Sequence, residues 1–424
     1  MPFLYKMREV YIAVVGAGAS GLMAAYCAAR KLYKSGVHGV VALLEGNAKI
    51  GKKLLATGNG RCNLTNLNLS PQSYHGDNEA ITEILSKHTP SKIIDEFYKM
   101  GLVCTADNEG RVYPNNLQAA AVLSALRFSC EEAGVECICD FNVFSAIKSG
   151  ENYIVKSENG EEIKAKKLII ASGGMASPKH SCGMNGYDVA RQFGHSVVKC
   201  EPALTSIKSS SKMLKSIKGM RCKAKATLLS DNKEVHSESG EVIFSDASLS
   251  GICIFGLSTY LLTLDSEAKA VVKLDLAEKY SYEDVKNYLK NVQVNHSELE
   301  IINILSGLIN IKVGEELIKS LPIDKFLLVS ALKPAEIEKI AMLVKNLEFE
   351  VTKNSSWDMA QITAGGIPLS EIDLFTMESK NAKNLYFAGE ILNIHGDCGG
   401  YNLHWAWTSG MIAGENAGSN IVFV

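Results

Sequence analysis

At 424 residues the chain is too long for one ordinary core, so two or three domains are expected. Hydrophobic residues at 46% and charged residues at 21% fit an ordinary soluble globular protein. A formal charge of −2, from 44 Lys+Arg against 46 Asp+Glu, excludes a general attraction to nucleic acid or an anionic membrane and leaves room only for a local basic patch.

Met1 to Val10 carries Lys6, Arg8 and Glu9, and a strand follows at once, so no signal peptide is readable. Val10–Val15 is a short, β-branched apolar run that predicts a strand buried on both faces of a parallel sheet. Gly16, Gly18 and Gly21 follow in G-x-G-x-x-G spacing, then a helix ending near Ser35-Gly36 and a second apolar strand closed by Glu45. Gly16 permits a tight turn, Gly18 lets a pyrophosphate approach the backbone, and Gly21 lets helix pack on strand. The helix N-terminus offers free N–H groups to phosphate, and Glu45 is placed to accept from a ribose. Glycines alone would be weak evidence; strand, glycines, helix, strand and terminal acid together predict a dinucleotide site. A glutamate there disfavours the 2′-phosphate of NADP, which leaves FAD or NAD.

Gly46–Asn66 is dense in glycine, small polar residues and cations, more than a nicotinamide dehydrogenase needs at this point. Lys52, Lys53 and Arg61 could neutralise phosphate, and Thr57-Gly58-Asn59-Gly60 could donate hydrogen bonds toward a flavin; a flexible basic surface loop is the bland alternative. Cys137 and Cys139 alternate in a strand and read as buried thiols. The eleven cysteines are odd in number, scattered and without a CxxC, so neither a redox pair nor a metal site is expected, and a reduced cytoplasmic setting fits. "FNVFSAIKSG" and "NYIVKSENGEEIKAKK" predict an antiparallel meander. "KKLIIASGG" then returns a strand to the parallel sheet.

From about Gly194 the βα rhythm stops. Short alternating runs between Pro202 and Leu276 predict a small barrel, and the apolar stretch Gly251–Leu264, about 14 residues, is too short to span a bilayer. Lys208–Lys225 is a basic run, read as a solvated barrel loop or, less simply, as an RNA contact. Ser281 caps a helix, and "ELEIINILSGLI", "GEELIKSL" and "KPAEIEKIAMLVKNL" continue the helical pattern. "NLYFAGE" predicts a strand ending in Gly389-Glu390, and "GGYN" leads into a helix from about Leu403. Trp405 and Trp407 cannot share a helix face, so at least one is packing; His395 and His404 read first as structural histidines.

"TGNGRCNLTN", "GEVIFSDASLSG", "ITAGGI", "TMESKNAKNLYFAGE" and "GDCGGYNLHWAWTSG" together resemble the BaiN-like NAD(P)/FAD-dependent oxidoreductases over nearly the whole chain. The resemblance implies a glutathione-reductase-like, Rossmann-type FAD domain of α/β class, interrupted by an inserted β-barrel and a helical subdomain. The expected divisions are 1–193 and 351–424 for the FAD domain, 194–280 for the barrel and 281–350 for the helices, which would cap the flavin's exposed side. It also implies non-covalent FAD, NADH or NADPH as transient co-substrate, and a small apolar, carbonyl-containing substrate. Some relatives reduce a ketone-conjugated double bond in bile-acid-type steroids; amine or alcohol oxidation is the alternative activity, and an RNA-associated flavoprotein an alternative of another class.

The cofactor-binding candidates are Gly16, Ala17, Gly18, Ala19, Ser20, Gly21, Glu45, Gly46, Lys52, Lys53, Thr57, Gly58, Arg61, Cys62, Asn63, Val143, Ala171, Ser172, Gly173, Gly389, Glu390, Gly399, Gly400, Tyr401 and Asn402. Tyr401, His395 and Arg61 are the candidates for a proton donor. Three departures bear on substrate more than on cofactor. The family more often has an aspartate at Asn393 and an acid near His395, and its insert more often reads "FTH…SGP" where this chain has Ser245-Asp246 and Gly251-Ile252.

Overall fold

The structure, a computed structural model, describes residues 7–37, 40–180, 186–265 and 267–419; the first six residues of the stretch read for a leader lie outside these. The chain divides into two compact units, 1–202 with 360–424, and 203–359.

The first unit is built on a seven-stranded sheet. Arg8–Val15 (β1) leads through the helix Ala19–Lys34 (α1) to Val41–Leu44 (β2) and later Val135–Ile138 (β3). Val143–Ser149 (β4) and Asn152–Ser157 (β5) form the expected antiparallel meander, which feeds Glu162–Ile170 (β6). The spatial order is β3-β2-β1-β6-β5-β4, and Leu385–Phe387 (β7) returns parallel to the last turn of β6. Ile12 to Val14, Ala42, Leu43, Leu168 to Ile170, Leu385 and Phe387 are fully buried, as expected of strands covered on both faces. Cys137 and Cys139 correct an expectation: Cys137 is exposed and Cys139 half-buried, because β3 is the sheet's edge and has only β2 beside it.

Tyr401–Ala417 (α2) begins two residues earlier than expected, immediately after Gly400, whose φ of +101° suits only glycine. Its position follows from three glycines spaced four residues apart. Added Cβ atoms on Gly410, Gly414 and Gly418 would lie 2.5, 2.2 and 2.7 Å from the carbonyl oxygens of Ser20, Ala24 and Ala28 on α1. The two helices therefore run parallel with backbones in contact. Lys167, buried, donates to the carbonyls of Ala417 at 2.7 Å and Ser419 at 2.6 Å, placing a cation at the C-terminal end of α2. Both tryptophans are buried: Trp407 stacks edge-on against Phe97 and donates to the Leu64 carbonyl at 3.1 Å, and Trp405 lies in the same core.

In the second unit six strands run in the spatial order Ile207–Lys208, Ser248–Ser250, Lys233–Phe244, Arg221–Ser230, Ala270–Asp275 and Leu347–Glu350. Lys208 and Thr352 exchange both backbone hydrogen bonds, at 3.1 and 2.9 Å, which joins the first strand to the chain just past the last and closes the barrel. The apolar stretch becomes the helix Ile252–Leu262, and among the described residues no helix is long and apolar enough to cross a membrane. Ser281 caps Tyr282–Asn295 in a capping box with Asp284. Helices Ile311–Lys319 and Pro334–Lys345 follow, and these helices share one core with barrel residues such as Phe244 and Phe349.

"ELEIINILSGLI" does not form the predicted helix, only a 3-10 turn at Ile301–Asn303. The N–H groups of Ile301 and Ile302 donate instead to Leu327 and Lys325, at 2.9 and 3.0 Å, so pairing with a distant segment replaces the helical ladder.

Candidate active site

Five parallel strands end in register: Val15 is level with Leu44 and Ile170, Leu44 with Ile138, and Ile170 with Phe387. The ladder continues one residue further, with Gly16, Glu45, Ala171 and Ala388 donating to neighbouring strand ends at 2.8 to 3.0 Å. The loops leaving this edge carry Gly16–Gly21, Glu45-Gly46, Ala171–Gly173 and Gly389-Glu390, so residues far apart in sequence meet at the carboxyl ends of the strands, where α/β sheets bind ligands.

The glycine loop fits a dinucleotide. Gly16 has φ +98° and its Cβ would lie 2.5 Å from the Ala171 carbonyl oxygen, and one on Gly21 would lie 1.8 Å from Gly16 O. Gly18 is different: nothing lies within 4 Å of its would-be Cβ. It is also the N-cap of α1, with no side-chain cap and no acid in the first turn, so the N–H groups of Ala19 and Ser20 face a cradle suited to an anion. Ser20 is buried, its hydroxyl turned to the Ala388 carbonyl at 3.3 Å. Glu45, buried, accepts from the Ala17 N–H at 3.1 Å and from Asn47 at 2.9 and 2.7 Å, which fixes its carboxylate beside the loop. Gly173, φ +78°, also opens on empty space, and Gly389, φ +84°, donates to Ser409 at 2.9 Å.

The second cluster is assembled by the loop after β2. Gly58, Asn59, Gly60 and Cys62 all have positive φ, and the Cys62 N–H closes the turn on the Thr57 carbonyl at 3.1 Å. The Thr57 hydroxyl caps its own short helix through Leu54 O at 2.6 Å. The Cys62 side chain lies in the core, where burial pushes its thiol up to about 12, so only its backbone is turned toward the loop. Val143 likewise points into the core. Lys53 meets Glu390 at 2.6 Å, and the other Glu390 oxygen accepts from the Thr363 N–H at 2.9 Å. Lys52 is exposed and turned to Asn47 at 2.5 Å, while Arg61 is exposed and makes no ion pair among the described residues.

Asn63, Thr65 and Asn66 then dock on the N-terminus of α2. A Cβ on Gly400 would lie 2.7 Å from Asn63 Oδ1, a buried atom with no partner among the described residues. Asn66 donates to Gly399 O at 2.9 Å, and the Tyr74 hydroxyl donates to Tyr401 O at 2.9 Å. Asn402 staples its own loop, accepting from Gly396 N and donating to Gly396 O, both at 2.8 Å, so its side chain is already committed. Tyr401 is half-buried, its phenol pushed above the usual range chiefly by burial. Gly400 N-caps α2 with no side-chain cap and no acid in the first turn, a second open helix N-terminus.

His404 is structural. Its Nε2–H donates to the His88 carbonyl at 2.8 Å and its Nδ1 accepts from Thr65 at 2.8 Å, and burial takes its pKa down to about 4. His395 cannot serve as a charged acid near neutrality, because burial, then the neighbouring His75, takes its pKa to about 3. Asn66, Tyr74, His75, Asp397 and Ser409 were not singled out from the sequence. Asn66, Asp397 and Ser409 sit within quoted motifs, but nothing local marks Tyr74 or His75.

A Rossmann sheet with an open glycine cradle, a fixed acid at the end of β2, and a second open helix N-terminus facing a glycine-rich loop defines the site of an FAD-dependent oxidoreductase. The chain belongs to the HI0933-like protein Rossmann domain family, whose profile matches residues 10–416. It is 32% identical over 408 residues to the 3-dehydro-bile acid delta(4,6)-reductase of Clostridium scindens, a match covering 96% of this chain and 98% of that protein. It is 27% identical over 404 residues to the ribosomal RNA dihydrouridine synthase of Haemophilus influenzae, covering 93% and 95%. Among solved structures, the 3-ketosteroid-delta4-(5alpha)-dehydrogenase from Rhodococcus jostii shares the fold, with TM-score 0.52, 14% identity and 99% of both chains covered.

Proposed function

We propose that this protein is an NAD(P)H-dependent reductase of a carbon–carbon double bond conjugated to a carbonyl, with an apolar, bile-acid-like ketone as substrate. The observation that carries this reading is end-to-end similarity at 32% identity to a protein named as a reductase of such a bond. Bound FAD would supply hydride-transfer chemistry between a reduced nicotinamide and the β carbon of the alkene. The α carbon then needs one proton, and the carbonyl oxygen carries negative charge until that proton arrives.

In this reading Gly16–Gly21 and the N-terminus of α1 hold the pyrophosphate and Glu45 the ribose. Lys53, Thr57, Gly58, Asn63, Ala171–Gly173, Glu390 and Gly399–Tyr401 line the remainder. Tyr401 is the better of the proton-donor candidates, since it begins α2 beside the site and His395 does not carry a second proton. The buried thiols of Cys27, Cys62, Cys130 and Cys253, which form no disulfide, agree with a reducing, cytoplasmic setting.

A second substrate class has its own support. Dihydrouridine differs from uridine by two hydrogens across a ring double bond conjugated to a carbonyl, so the second relative's name describes the same chemistry on RNA. Lys208, Lys212, Lys215, Lys218, Arg221, Lys223 and Lys225 are all exposed on the second unit, with Lys218 paired to Asp246 and Arg221 to Glu241.

Anaerobic mixing of the holoprotein with NADH or NADPH should bleach the flavin, and a 3-keto-Δ4 steroid should restore its colour. Bleaching by an amine or alcohol, with none by either nicotinamide, would replace the reductase reading with the oxidase one. Colour restored by ribosomal RNA but not by the steroid, with binding that weakens steeply with salt, would move the substrate to RNA.

A further inference from the structure

Ile394–Gly396, followed by Asp397, forms a short antiparallel pair with Tyr74–Gly76, in which His395 stands directly opposite His75. The two rings stack with centroids 5.2 Å apart and planes 28° from parallel. His75 donates from Nε2 to the Asp397 carboxylate at 2.7 Å, which fixes the plane of its ring. His395 is 7% exposed, and its buried Nδ1 has no hydrogen-bond partner among the described residues. An unpaired buried polar atom costs about 1–3 kcal/mol unless something arrives to pair with it.

Packing places this strand beside the N-terminus of α2. The next residue, Gly396, packs on Tyr401: its Cβ would lie 2.6 Å from that of the first α2 residue. Asn402 and the Ser73 carbonyl, which accepts from Asp397 N at 2.9 Å, hold the loop between them in one shape. A positioned, permanently neutral imidazole is a hydrogen-bond donor that does not lose strength by titrating, and such a group can polarise a carbonyl.

Resting on the reductase reading above, we propose that His395 donates its N–H to the carbonyl oxygen of the substrate, with His75 and Asp397 as the pair that positions its ring. As the hydride adds to the β carbon, the alkene electrons move to the α carbon and the carbonyl oxygen, and His395 stabilises the charge on that oxygen without giving up its proton. The α carbon takes its proton from another donor and the ketone re-forms. The arrangement serves a steroid ketone or a uracil carbonyl equally.

The test uses dithionite-reduced holoprotein mixed without oxygen with 4-androstene-3,17-dione and, separately, with ribosomal RNA, following flavin re-oxidation. His395→Phe keeps a ring against His75 and removes both nitrogens. Its re-oxidation by the responsive probe should fall by about 100-fold. Its flavin content and re-oxidation by dioxygen should stay as in the wild type, and the probe's dissociation constant from the oxidised protein should rise about 10-fold. Wild-type re-oxidation by the probe in His395→Phe, or equal slowing with probe and dioxygen, overturns the proposal. If that variant does not hold flavin, His75→Phe decides: it keeps the stack and loses the Asp397 anchor. It should slow re-oxidation by the probe alone by about 10-fold, and wild-type behaviour there is equally fatal. A wild-type protein that neither probe re-oxidises removes the reductase reading itself, and this role with it.

Discussion

The chain has two glycine-rich regions at opposite ends of its sequence, and they use glycine for opposite reasons. After β1, Gly18 faces a space with no protein atom within 4 Å of its would-be Cβ, at a helix N-terminus without a cap. Along α2, Gly410, Gly414 and Gly418 face the backbone of α1 at 2.2 to 2.7 Å. Gly18 leaves an open space at a helix N-terminus, whereas the α2 glycines remove the room between two helices. The segment 385–418 is divided the same way: Gly389, Gly399 and Gly400 turn backbone toward the site, while the last three glycines press α2 onto α1.

Substitution breaks this comparison most sharply at Gly414. Gly414→Val should cost about 3 kcal/mol or more, because its new atoms meet backbone that cannot move aside, with the loss read from urea melts of apoprotein and holoprotein alike. A wild-type midpoint would mean that the helices are not in contact at this point.

The structural His404, on the same helix, gives the next largest effect. Its folded pKa near 4 lies below the usual value of 6.5, so above pH 6.5 its contribution is fully present. As pH falls, the unfolded chain takes up a proton that the folded chain refuses, and the loss is complete near pH 4. Between pH 7 and pH 5 the wild type should lose about 2 kcal/mol more than His404→Gln, by urea melts at the two pH values.

Gly18→Ala sharpens the other side of the comparison. Its φ of −82° is open to alanine and its surroundings are empty, so the apoprotein's melting temperature should be unchanged. FAD affinity should nevertheless fall about 10-fold or more, measured by flavin fluorescence, because the methyl occupies the phosphate cradle. A stable variant with unchanged affinity would place the pyrophosphate elsewhere.

The smallest effect belongs to Lys53→Met. The ion pair with Glu390 is about one-third exposed at Lys53, so the apoprotein should lose only about 1 kcal/mol or less, again by urea melting. FAD retention should fall a few-fold, and an equal loss in both states would confine Lys53 to a structural role.

The unit running from β1 through Glu45 was legible because its contacts are local and its periodicity is strong. The same holds for the meander β4–β5 and the capping box at Ser281. The stretch from Glu298 to Ile309 was misread because its apolar spacing suits a helix, whereas its backbone partners at Lys325 and Leu327 leave no local trace. The floor of the site was hidden for a similar reason. Asn66 with Gly399, Tyr74 with Tyr401 and His75 with Asp397 are separated by 333, 327 and 322 residues, and nothing in a local pattern pairs them. Cys62 shows a related limit: its motif is legible in the sequence, whereas its positive φ and the burial of its sulfur are not.

The sequence by itself determined the dinucleotide class of the cofactor and the succession of strands and helices around it, because backbone conformation, helix termini and hydrophobic period are written in neighbouring residues. Which glycines face a ligand and which face a helix was decided only in three dimensions. So was the neutral state of His395. A residue's freedom and charge depend on what the folded chain packs against it, and that neighbour is some 300 residues away.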